Sequence, residues 1–373
     1  MEGNRSAGRI LVAMSGGVDS STAALLLKKE GYDIRGAILR MHDAGMSTEN
    51  LVNGKLPLSI WYAREAARKM RIDFSIIDVR DDFDKRLEKY FISNFENGVP
   101  LDPDFYTQKH LQLAQMSEAC EAMGCDMVAT GHYVIIEYND ERGRYVLRRA
   151  KDREKDQTYK LYRLSQKDLS HIIAPLGSYE KEEIRRIAME AGLKNAKAAD
   201  DLCFIPDKDY WRFVGRRLQE LAGADKPVEQ IVGLAPGNFV DEQGNVIGRH
   251  RGFLYYTVGQ RDGLEEAGMP ENLYVCRKRA DTNEIILTDE DGLYTYTVRA
   301  CKVNFVSVPE LPGGSMRVNT VLHYGGKEQP GTAAMLDDGT LEVRFDAPVR
   351  APVPGLSMVL YDGDEVIAGG IIM

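Results

Sequence analysis

The sequence contains few cysteines, and their spacing excludes the common kinds of cysteine site. Five occur in 373 residues, and none forms the Cys-x-x-Cys pair that is typical of structural zinc sites. An odd, scattered set indicates reduced thiols, so we expect a cytoplasmic protein. Long apolar runs are also missing, since none reaches the length of a membrane span. The N-terminal MEGNRSAGR has no hydrophobic signal segment either.

Basic residues are fewer than acidic residues in this chain. The chain has 48 Lys and Arg against 57 Asp and Glu, a net charge of −9, so a generally basic nucleic-acid-binding surface is not expected. The exception is residues 141–163, ERGRYVLRRAKDREKDQTYKLYR, with nine basic and four acidic residues. Such a stretch can bind phosphates or form a solvated hairpin face, and the pattern leaves both alternatives open.

A glycine-rich loop near the start of the chain is the most informative local pattern. The apolar run Ile10–Ala13 predicts a buried strand, and Thr22–Glu30 predicts a helix. Between them lies Ser15–Ser21, SGGVDSS, whose glycines would let backbone amides approach a phosphate at the helix N-terminus. The Gly-Lys-Ser/Thr ending of a Walker loop is missing. An aspartate, Asp19, is unexpected in an anion site unless a cation is present, so we expect Mg²⁺ to act through it.

Strand and helix patterns alternate over the first two hundred residues. This alternation predicts an α/β fold with a doubly wound parallel sheet, whose ligands bind at the carboxyl ends of the strands. The further expected strands are 32–39, 74–79 and 127–130, and the further expected helices are 59–70, 83–97, 108–123 and 180–192.

The length predicts two or three domains, and the character of the chain changes near residue 207. Short glycine-rich β segments follow, and Asp338-Gly339 and Asp362-Gly363 are hairpin signals. We therefore expect a nucleotide-binding domain at 1–206, a small mixed domain at 207–281 and a C-terminal β-barrel at 282–373.

Several motifs carry a resemblance to known families. SGGVDS resembles the pyrophosphatase loop of the N-type ATP pyrophosphatases, which transfer AMP from ATP to a substrate oxygen. Over nearly its whole length the chain resembles the bacterial tRNA-specific 2-thiouridylases. The matching segments are AMSGGVDSS at 13–21, ATGHY at 129–133, KDQTYKLYRLSQ at 155–166, PLG at 175–177, LCFI at 202–205, YYTVGQRDGL at 255–264 and VRFDAPVRAPVPGLSMVLYDGDEVIAGGII at 343–372.

The resemblance implies a reaction and its partners. ATP would adenylate O2 of the wobble uridine of a tRNA, and a persulfide sulfur would then replace the activated oxygen. The base would have to leave its stack to be reached. The implied cofactors are ATP and Mg²⁺, and the implied partners are tRNA and a desulfurase or sulfur relay protein that donates persulfide. No membrane is involved.

The resemblance also implies the residues of the site. Those expected to contact the nucleotide are Ala13, Met14, Ser15, Gly16, Gly17, Val18, Asp19, Ser20, Leu39 and Gly131. Those expected to contact tRNA are Lys155, Asp156, Gln157, His323 and Tyr324. His323 stands where the family has arginine in an Arg-Tyr pair, which removes one expected phosphate contact.

The expected sulfur chemistry rests on Cys203 and Asp104. Cys203 matches the family's Cys-Phe-Ile segment, and Asp104 matches its Asn-Pro-Asp turn. The second family cysteine is replaced by Thr107, which can form neither a persulfide nor a disulfide. An iron–sulfur cluster is therefore not expected, since Cys203 alone remains of its thiolate ligands.

Three functions stay open at this point. The first is a tRNA-thiolating enzyme with Cys203 as its only sulfur carrier or with altered sulfur delivery. The second is a diverged paralogue that binds nucleotide and RNA without thiolation. The third is an enzyme that adenylates a different acceptor. The intact loop with Asp19 favours retained ATP chemistry, and Thr107 indicates changed sulfur chemistry.

Overall fold

The computed structural model describes residues 8–41, 56–83, 85–86, 112–195, 219, 227 and 234–373. Helices and strands in these ranges are numbered along the chain. The helices are α1 (Val18–Lys29), α2 (Leu58–Met70), α3 (Ala114–Ala122), α4 (Thr158–Leu161), α5 (Gln166–Leu169) and α6 (Lys181–Glu190). The strands are β1 (Arg9–Ala13), β2 (Asp33–Arg40), β3 (Phe74–Asp78), β4 (Met127–Ala129), β5 (Val134–Asn139), β6 (Arg144–Arg149), β7 (Ile172–Ile173), β8 (Gly237–Val240), β9 (Val246–His250), β10 (Tyr274–Arg279), β11 (Glu284–Thr288), β12 (Tyr294–Phe305), β13 (Ser315–Val321), β14 (Gln329–Met335), β15 (Leu341–Arg350), β16 (Ser357–Asp362) and β17 (Glu365–Ile372). None of these helices is long and apolar enough to cross a bilayer.

A parallel sheet forms the first part of the chain, in the order β3-β2-β1-β4-β7. The predicted apolar run makes its central strand, where Ile10, Leu11 and Val12 are at most 1% exposed. Neighbour order reverses at this strand, because β2 pairs on one side of β1 and β4 on the other. The loops after β1 and β4 therefore diverge and leave a crevice for a ligand. The predicted α/β fold is confirmed.

A small mixed sheet follows, in the order β10-β11-β8-β9. Phe239, Phe253 and Ile285 form its core, and Phe83 from the first part of the chain packs against them. Strand β11 belongs to this sheet, because it pairs with both β10 and β8. The expected domain boundary at 281/282 falls in the turn between β10 and β11, inside the hairpin that these strands form. Asn283 in this turn has φ 52°, a conformation that asparagine tolerates.

The C-terminal part is a closed antiparallel barrel. Its strands follow the order β12-β15-β14-β13-β16-β17, and pairing between β12 and β17 closes the ring. The hairpin signals Asp338-Gly339 and Asp362-Gly363 lie at the β14–β15 and β16–β17 turns. Closure removes the unpaired strand edges that would otherwise favour association with another chain.

A hairpin from the first part of the chain, β5–β6, is attached to the barrel. Arg148 of β6 pairs in register with Glu365 of β17. The Arg144 guanidinium donates to the carbonyls of Phe305 and Val306. Further ion pairs join basic side chains of the segment 141–163 to acidic side chains of the barrel: Arg142 to Glu365, Arg149 to Glu328 and Arg153 to Asp364. Much of the charge in this basic segment therefore holds the two parts of the chain together.

A buried polar cluster completes this joint. The Arg149 guanidinium lies 3.7 Å from the centre of the Tyr361 ring and donates to the carboxylate of Asp156. Asp156 is 6% exposed and also accepts from Ala150 N and Thr158 Oγ1. Because charged groups need such partners when buried, this cluster fixes how the chain leaves the hairpin.

We expect Arg149→Met to destabilise the protein by about 3 kcal/mol, since it removes one partner of a buried ion pair. Urea unfolding followed by circular dichroism measures the effect. The matched control is Arg148→Met, because Arg148 is 41% exposed and pairs with the exposed Glu137. That change should cost less than about 1 kcal/mol. Equal losses in the two variants would contradict the role given to Arg149.

Candidate active site

The loop after β1 leads directly into the first turn of α1. The helix begins at Val18, not at Thr22, so Val18–Ser21 belong to its first turn. The first amides of a helix have no acceptor within it, and oxygen-bearing side chains such as serine and aspartate are favoured near them. Gly17 is the N-cap residue, and no side chain caps the helix. The first-turn amides ahead of Ser21 therefore have no side-chain acceptor among the described residues and suit an anionic ligand, whereas Ser21 N donates to the Gly17 carbonyl at 3.4 Å.

Two glycines are required by close packing around this turn. Gly16 has φ +87°, and a Cβ there would lie 2.2 Å from the carbonyl oxygen of Ser59. Gly131 follows β4, and a Cβ there would lie 2.7 Å from the backbone nitrogen of Ser20. Since Gly131 lies directly against the first turn of α1, the loops after β1 and β4 line the same crevice.

Hydroxyl groups within the loop bond to one another and to the backbone. Ser15 N donates to Ser20 Oγ at 3.0 Å, and the two hydroxyl oxygens lie 3.2 Å apart. Ser15 is exposed, whereas Ser20 is buried. The predicted nucleotide residues Ala13 and Met14 precede the loop, with Met14 fully buried.

Asn195 holds the loop from behind, and sequence reasoning missed it. Its side-chain amide donates to the carbonyls of Gly16 and Gly17, each at 2.8 Å, and to Ser21 Oγ at 2.9 Å. The residue is 1% exposed. No local signal marks it, because it lies 179 positions along the chain from Gly16. It thereby fixes two backbone carbonyls of the loop.

Asp19 is held by two donors that sequence reasoning also missed. The Lys181 ammonium donates to both carboxylate oxygens, at 2.8 and 2.7 Å, and the Tyr133 hydroxyl donates to one of them at 2.7 Å. Lys181 is the first residue of α6, where the helix dipole disfavours a cation. A buried lysine in that position requires a specific acidic partner, but its burial is a property of the fold that no local sequence pattern marks.

His132 stands between Gly131 and Tyr133 at the end of β4. Its Nδ1 lies 3.0 Å from Thr130 Oγ1. Loss of water around the ring, with a smaller contribution from the Lys160 ammonium, lowers the pKa of His132 to about 4. The imidazole is therefore neutral at pH 7 and adds no positive charge to the crevice.

Leu39 lies near the carboxyl end of β2, paired with Ile77 of β3 and half-buried. This is the same edge of the sheet as the loop after β1, as the family resemblance implies. Within the described ranges, no three His, Cys, Asp or Glu side chains are grouped in a way that would hold a metal ion.

The residues expected to contact tRNA fall into two groups that the fold brings together. Tyr324, in the loop after β13, lies 4.4 Å from the Lys160 ammonium and 6.1 Å from the Tyr159 ring, measured to ring centres. Tyr324 and its neighbour His323 are exposed. The segment 155–160 and the loop at 323–324 therefore form one continuous surface, although more than 160 residues separate them in sequence.

Two members of this set have internal roles. Asp156 belongs to the buried cluster with Arg149 described above. Gln157 Oε1 accepts from Tyr133 N at 3.0 Å, and Gln157 N donates to Tyr133 O at 3.1 Å. Lys155 is half-buried, and its backbone amide donates to Asp152. These contacts connect the segment to the crevice, because Tyr133 also bonds Asp19.

The residues of the expected sulfur chemistry, Asp104, Thr107 and Cys203, lie outside the described residues. The described cysteines are free thiols: Cys120, Cys125, Cys276 and Cys301. Burial raises the pKa of Cys120 to about 11 and also raises that of Cys276, so both thiols carry less reactive thiolate at neutral pH than a free cysteine does. A raised thiol pKa does not suit a sulfur carrier, which reacts as the thiolate.

Comparison with known proteins extends the resemblance to the whole chain. A family model described as a tRNA methyl transferase HUP domain matches residues 8–207. A PRC-barrel model from the same group matches residues 225–289, and an aminomethyltransferase β-barrel model matches residues 296–372. The tRNA-specific 2-thiouridylase MnmA of Acetivibrio thermocellus is 39% identical over 369 residues, which is 98% of this chain and 99% of the relative.

The chain belongs to the tRNA-specific 2-thiouridylase family. A second member, from Clostridioides difficile, is 37% identical over 98% of both chains. Among solved structures, a 4-thiouridine synthetase in complex with RNA and ATP is 16% identical, covers 58% of this chain and 51% of its own, and has a TM-score of 0.35. In the structure of this chain, Asp19, Gly131 and Tyr133 lie around one crevice.

We expect Asn195→Ala to loosen the loop. The substitution removes the hydrogen bonding of the Asn195 amide to Gly16 O, Gly17 O and Ser21 Oγ. Hydrogen exchange at the amides of 16–21 should therefore become at least tenfold faster. Asn304→Ala is the matched control, because Asn304 also donates to two carbonyls, those of Tyr162 and Leu164, at the joint with the barrel. The control should leave exchange in 16–21 unchanged. Unaltered exchange in Asn195→Ala would show that Asn195 does not order the loop.

Proposed function

We propose that this protein is an ATP-dependent tRNA 2-thiouridylase that adenylates O2 of a wobble uridine and replaces that oxygen with sulfur. The observation that carries the proposal is full-length membership of the family, at 39% identity over 98% of the chain, combined with an uncapped helix terminus at the crevice. The cytoplasm is the proposed setting, which agrees with four free thiols among the described residues.

The loop supplies the groups that a nucleoside triphosphate requires. First-turn amides of α1 and the Ser15 hydroxyl would bind phosphate oxygens, and the partial positive charge of the helix terminus would favour them. Gly131 packs directly against the backbone of Ser20, where a side chain would clash, and so brings the loop after β4 close to the phosphate loop. Leu39 would border the nucleotide at the neighbouring strand. We propose that Ala13 to Ser20 form the rest of this site.

Adenylation converts the O2 oxygen of uracil into a good leaving group. The O2 oxygen of uracil is a poor leaving group, and attack of O2 on the α-phosphorus of ATP releases pyrophosphate and converts that oxygen into part of AMP. A sulfur nucleophile can then attack C2, and AMP leaves with the oxygen. Reaching C2 requires the base to leave its stack in the tRNA.

Mg²⁺ is proposed as a partner of the phosphates. Asp19 is the candidate residue for it in the crevice, but its two oxygens already accept three hydrogen bonds from Lys181 and Tyr133. A metal ion at Asp19 would have to compete with these donors. The metal's contribution when bound would be to neutralise charge on the phosphates.

RNA recognition is proposed for the surface formed by residues 155–160 and 323–324. Tyr324 offers an exposed aromatic face, the Lys160 ammonium offers positive charge next to it, and Lys155 lies five residues earlier on the same segment. Aromatic stacking with local positive charge suits RNA bases and phosphates. Asp156 and Gln157 would shape this surface through their buried contacts, and His323 would border it.

Sulfur transfer is proposed to use Cys203 as the persulfide carrier, with Asp104 near the reacting base. After the terminal sulfur attacks C2, the bond between it and the Cys203 sulfur must still be broken. A partner cysteine would do this by forming a disulfide, which Thr107 cannot. An external thiol would attack the Cys203 sulfur instead, and a second thiol would reduce the resulting mixed disulfide.

We expect thiolation to depend on Cys203 and on added thiol, whereas AMP formation should not. Cys203→Ser should abolish 2-thiouridine and retain AMP formation, and Thr107→Cys should increase 2-thiouridine at limiting thiol. Cys276→Ser serves as the control, because its thiol lies in the small sheet. AMP is measured by chromatography and 2-thiouridine by nucleoside mass spectrometry. Full thiolation by Cys203→Ser refutes its role, and AMP formation without thiolation under any condition favours a diverged paralogue.

We expect Tyr324→Ala to weaken tRNA binding about tenfold, since base stacking on an aromatic side chain contributes roughly 1–3 kcal/mol. The matched control is Tyr296→Ala, because Tyr296 is also an exposed tyrosine of the barrel, at 57% exposure against 48% for Tyr324. Filter binding at several salt concentrations measures both variants. Equal affinities of the two variants would place the RNA surface elsewhere.

A further inference from the structure

We infer that Lys181 is a built-in counter-cation for Asp19, which allows phosphate to enter the loop without a metal ion on that carboxylate. The inference rests on the proposed function, because it concerns how the loop receives ATP. It assigns Lys181 as a positioning residue that acts through Asp19. The carboxylate of Asp19 in an anion-binding loop requires a nearby cation. The Lys181 ammonium, at the start of α6, is that cation.

The geometry of the pair supports this assignment. The ammonium of Lys181 contacts both oxygens of Asp19, at 2.8 and 2.7 Å, so it faces the carboxylate symmetrically. The side chain of Lys181 is 6% exposed and that of Asp19 is 28% exposed. The carboxylate thus faces the crevice, and the lysine lies behind it. The Tyr133 hydroxyl is an uncharged donor and lies 2.7 Å from Oδ1 of Asp19.

The position of Asp19 explains why a counter-cation is needed. Asp19 is the second residue of α1, next to the first-turn amides that would bind phosphate. An uncompensated carboxylate there would repel a nucleoside triphosphate in a partly desolvated crevice. With Lys181 in contact, the pair is close to neutral, and the field of the helix terminus remains attractive to anions.

The lysine is fixed at its backbone as well as at its ammonium group. Lys181 N donates to Asp152 Oδ2 at 2.9 Å, and the other oxygen of Asp152 accepts from the amides of Glu154 and Lys155. A capping box between Glu180 and Glu183 defines the start of α6. Because both ends of the side chain are held, Lys181 is organised before any ligand arrives.

The contact between Lys181 and Asp19 restricts where Mg²⁺ can bind to this carboxylate. Mg²⁺ and the Lys181 ammonium cannot both occupy the face of the carboxylate that the lysine now contacts. Metal-free ATP should therefore bind to the unchanged protein, and removal of the lysine charge should make binding dependent on Mg²⁺. Removal of both charges should restore metal-free binding, since no net charge then remains at the pair.

The experiment measures ATP binding by isothermal titration calorimetry, in EDTA and in excess Mg²⁺. In EDTA, Lys181→Met should bind ATP at least tenfold more weakly than the unchanged chain, and Mg²⁺ should recover most of the loss. Asp19→Asn combined with Lys181→Met should bind in EDTA within threefold of the unchanged chain. Lys278→Met is the control, because this lysine contacts the Phe253 ring in the small sheet. It should behave as the unchanged chain does.

The outcomes separate this inference from the proposed function. If the unchanged chain binds no ATP even with Mg²⁺, the proposed function fails. If it binds ATP only with Mg²⁺, or if the double variant stays as weak as Lys181→Met, the counter-cation role is overturned. If Lys181→Met does not fold, Asp19→Asn alone decides. Retained or tighter binding in EDTA then supports the inference, and a tenfold loss overturns it.

Discussion

The buried carboxylate of Asp156 is the interaction on which the arrangement of this protein depends. It accepts from the Arg149 guanidinium, the Ala150 amide and the Thr158 hydroxyl, and thereby closes the turn that follows β6. The next residue, Gln157, bonds both backbone groups of Tyr133. One short turn thus connects the barrel, the proposed RNA surface and the crevice, because buried polar groups must find partners.

The crevice itself is assembled from elements that are remote in sequence. Asn195 restrains the loop carbonyls from behind, and Lys181 and Tyr133 hold Asp19 at its side. The N-cap of α1 is Gly17, so no side chain among the described residues occupies the first-turn amides at this helix terminus. A loop restrained by its surroundings and open at the ligand side is suited to bind phosphate without prior rearrangement.

The charge distribution also follows from this division of tasks. The protein is acidic overall, and three of the nine basic residues in its most basic segment, Arg142, Arg149 and Arg153, form ion pairs with the barrel. The RNA surface proposed around Lys155, Lys160 and Tyr324 is a small part of the molecule, and within it the Lys160 ammonium lies next to the Tyr324 ring. Local rather than overall charge would therefore set RNA affinity, as is expected when phosphate contacts are few.

The sequence by itself determined the strand–loop–helix order at Ile10–Lys29, the parallel α/β fold and the two hairpin turns of the barrel. These features depend on local periodicity and on glycine, which short segments record. Only the tertiary structure decided that β11 belongs to the small sheet, that Arg149 is buried and that Lys181 and Asn195 reach the loop. These contacts join residues more than one hundred positions apart or depend on which side of an element is covered. No local pattern encodes such a partner, since a lysine or asparagine in isolation is most stable in water.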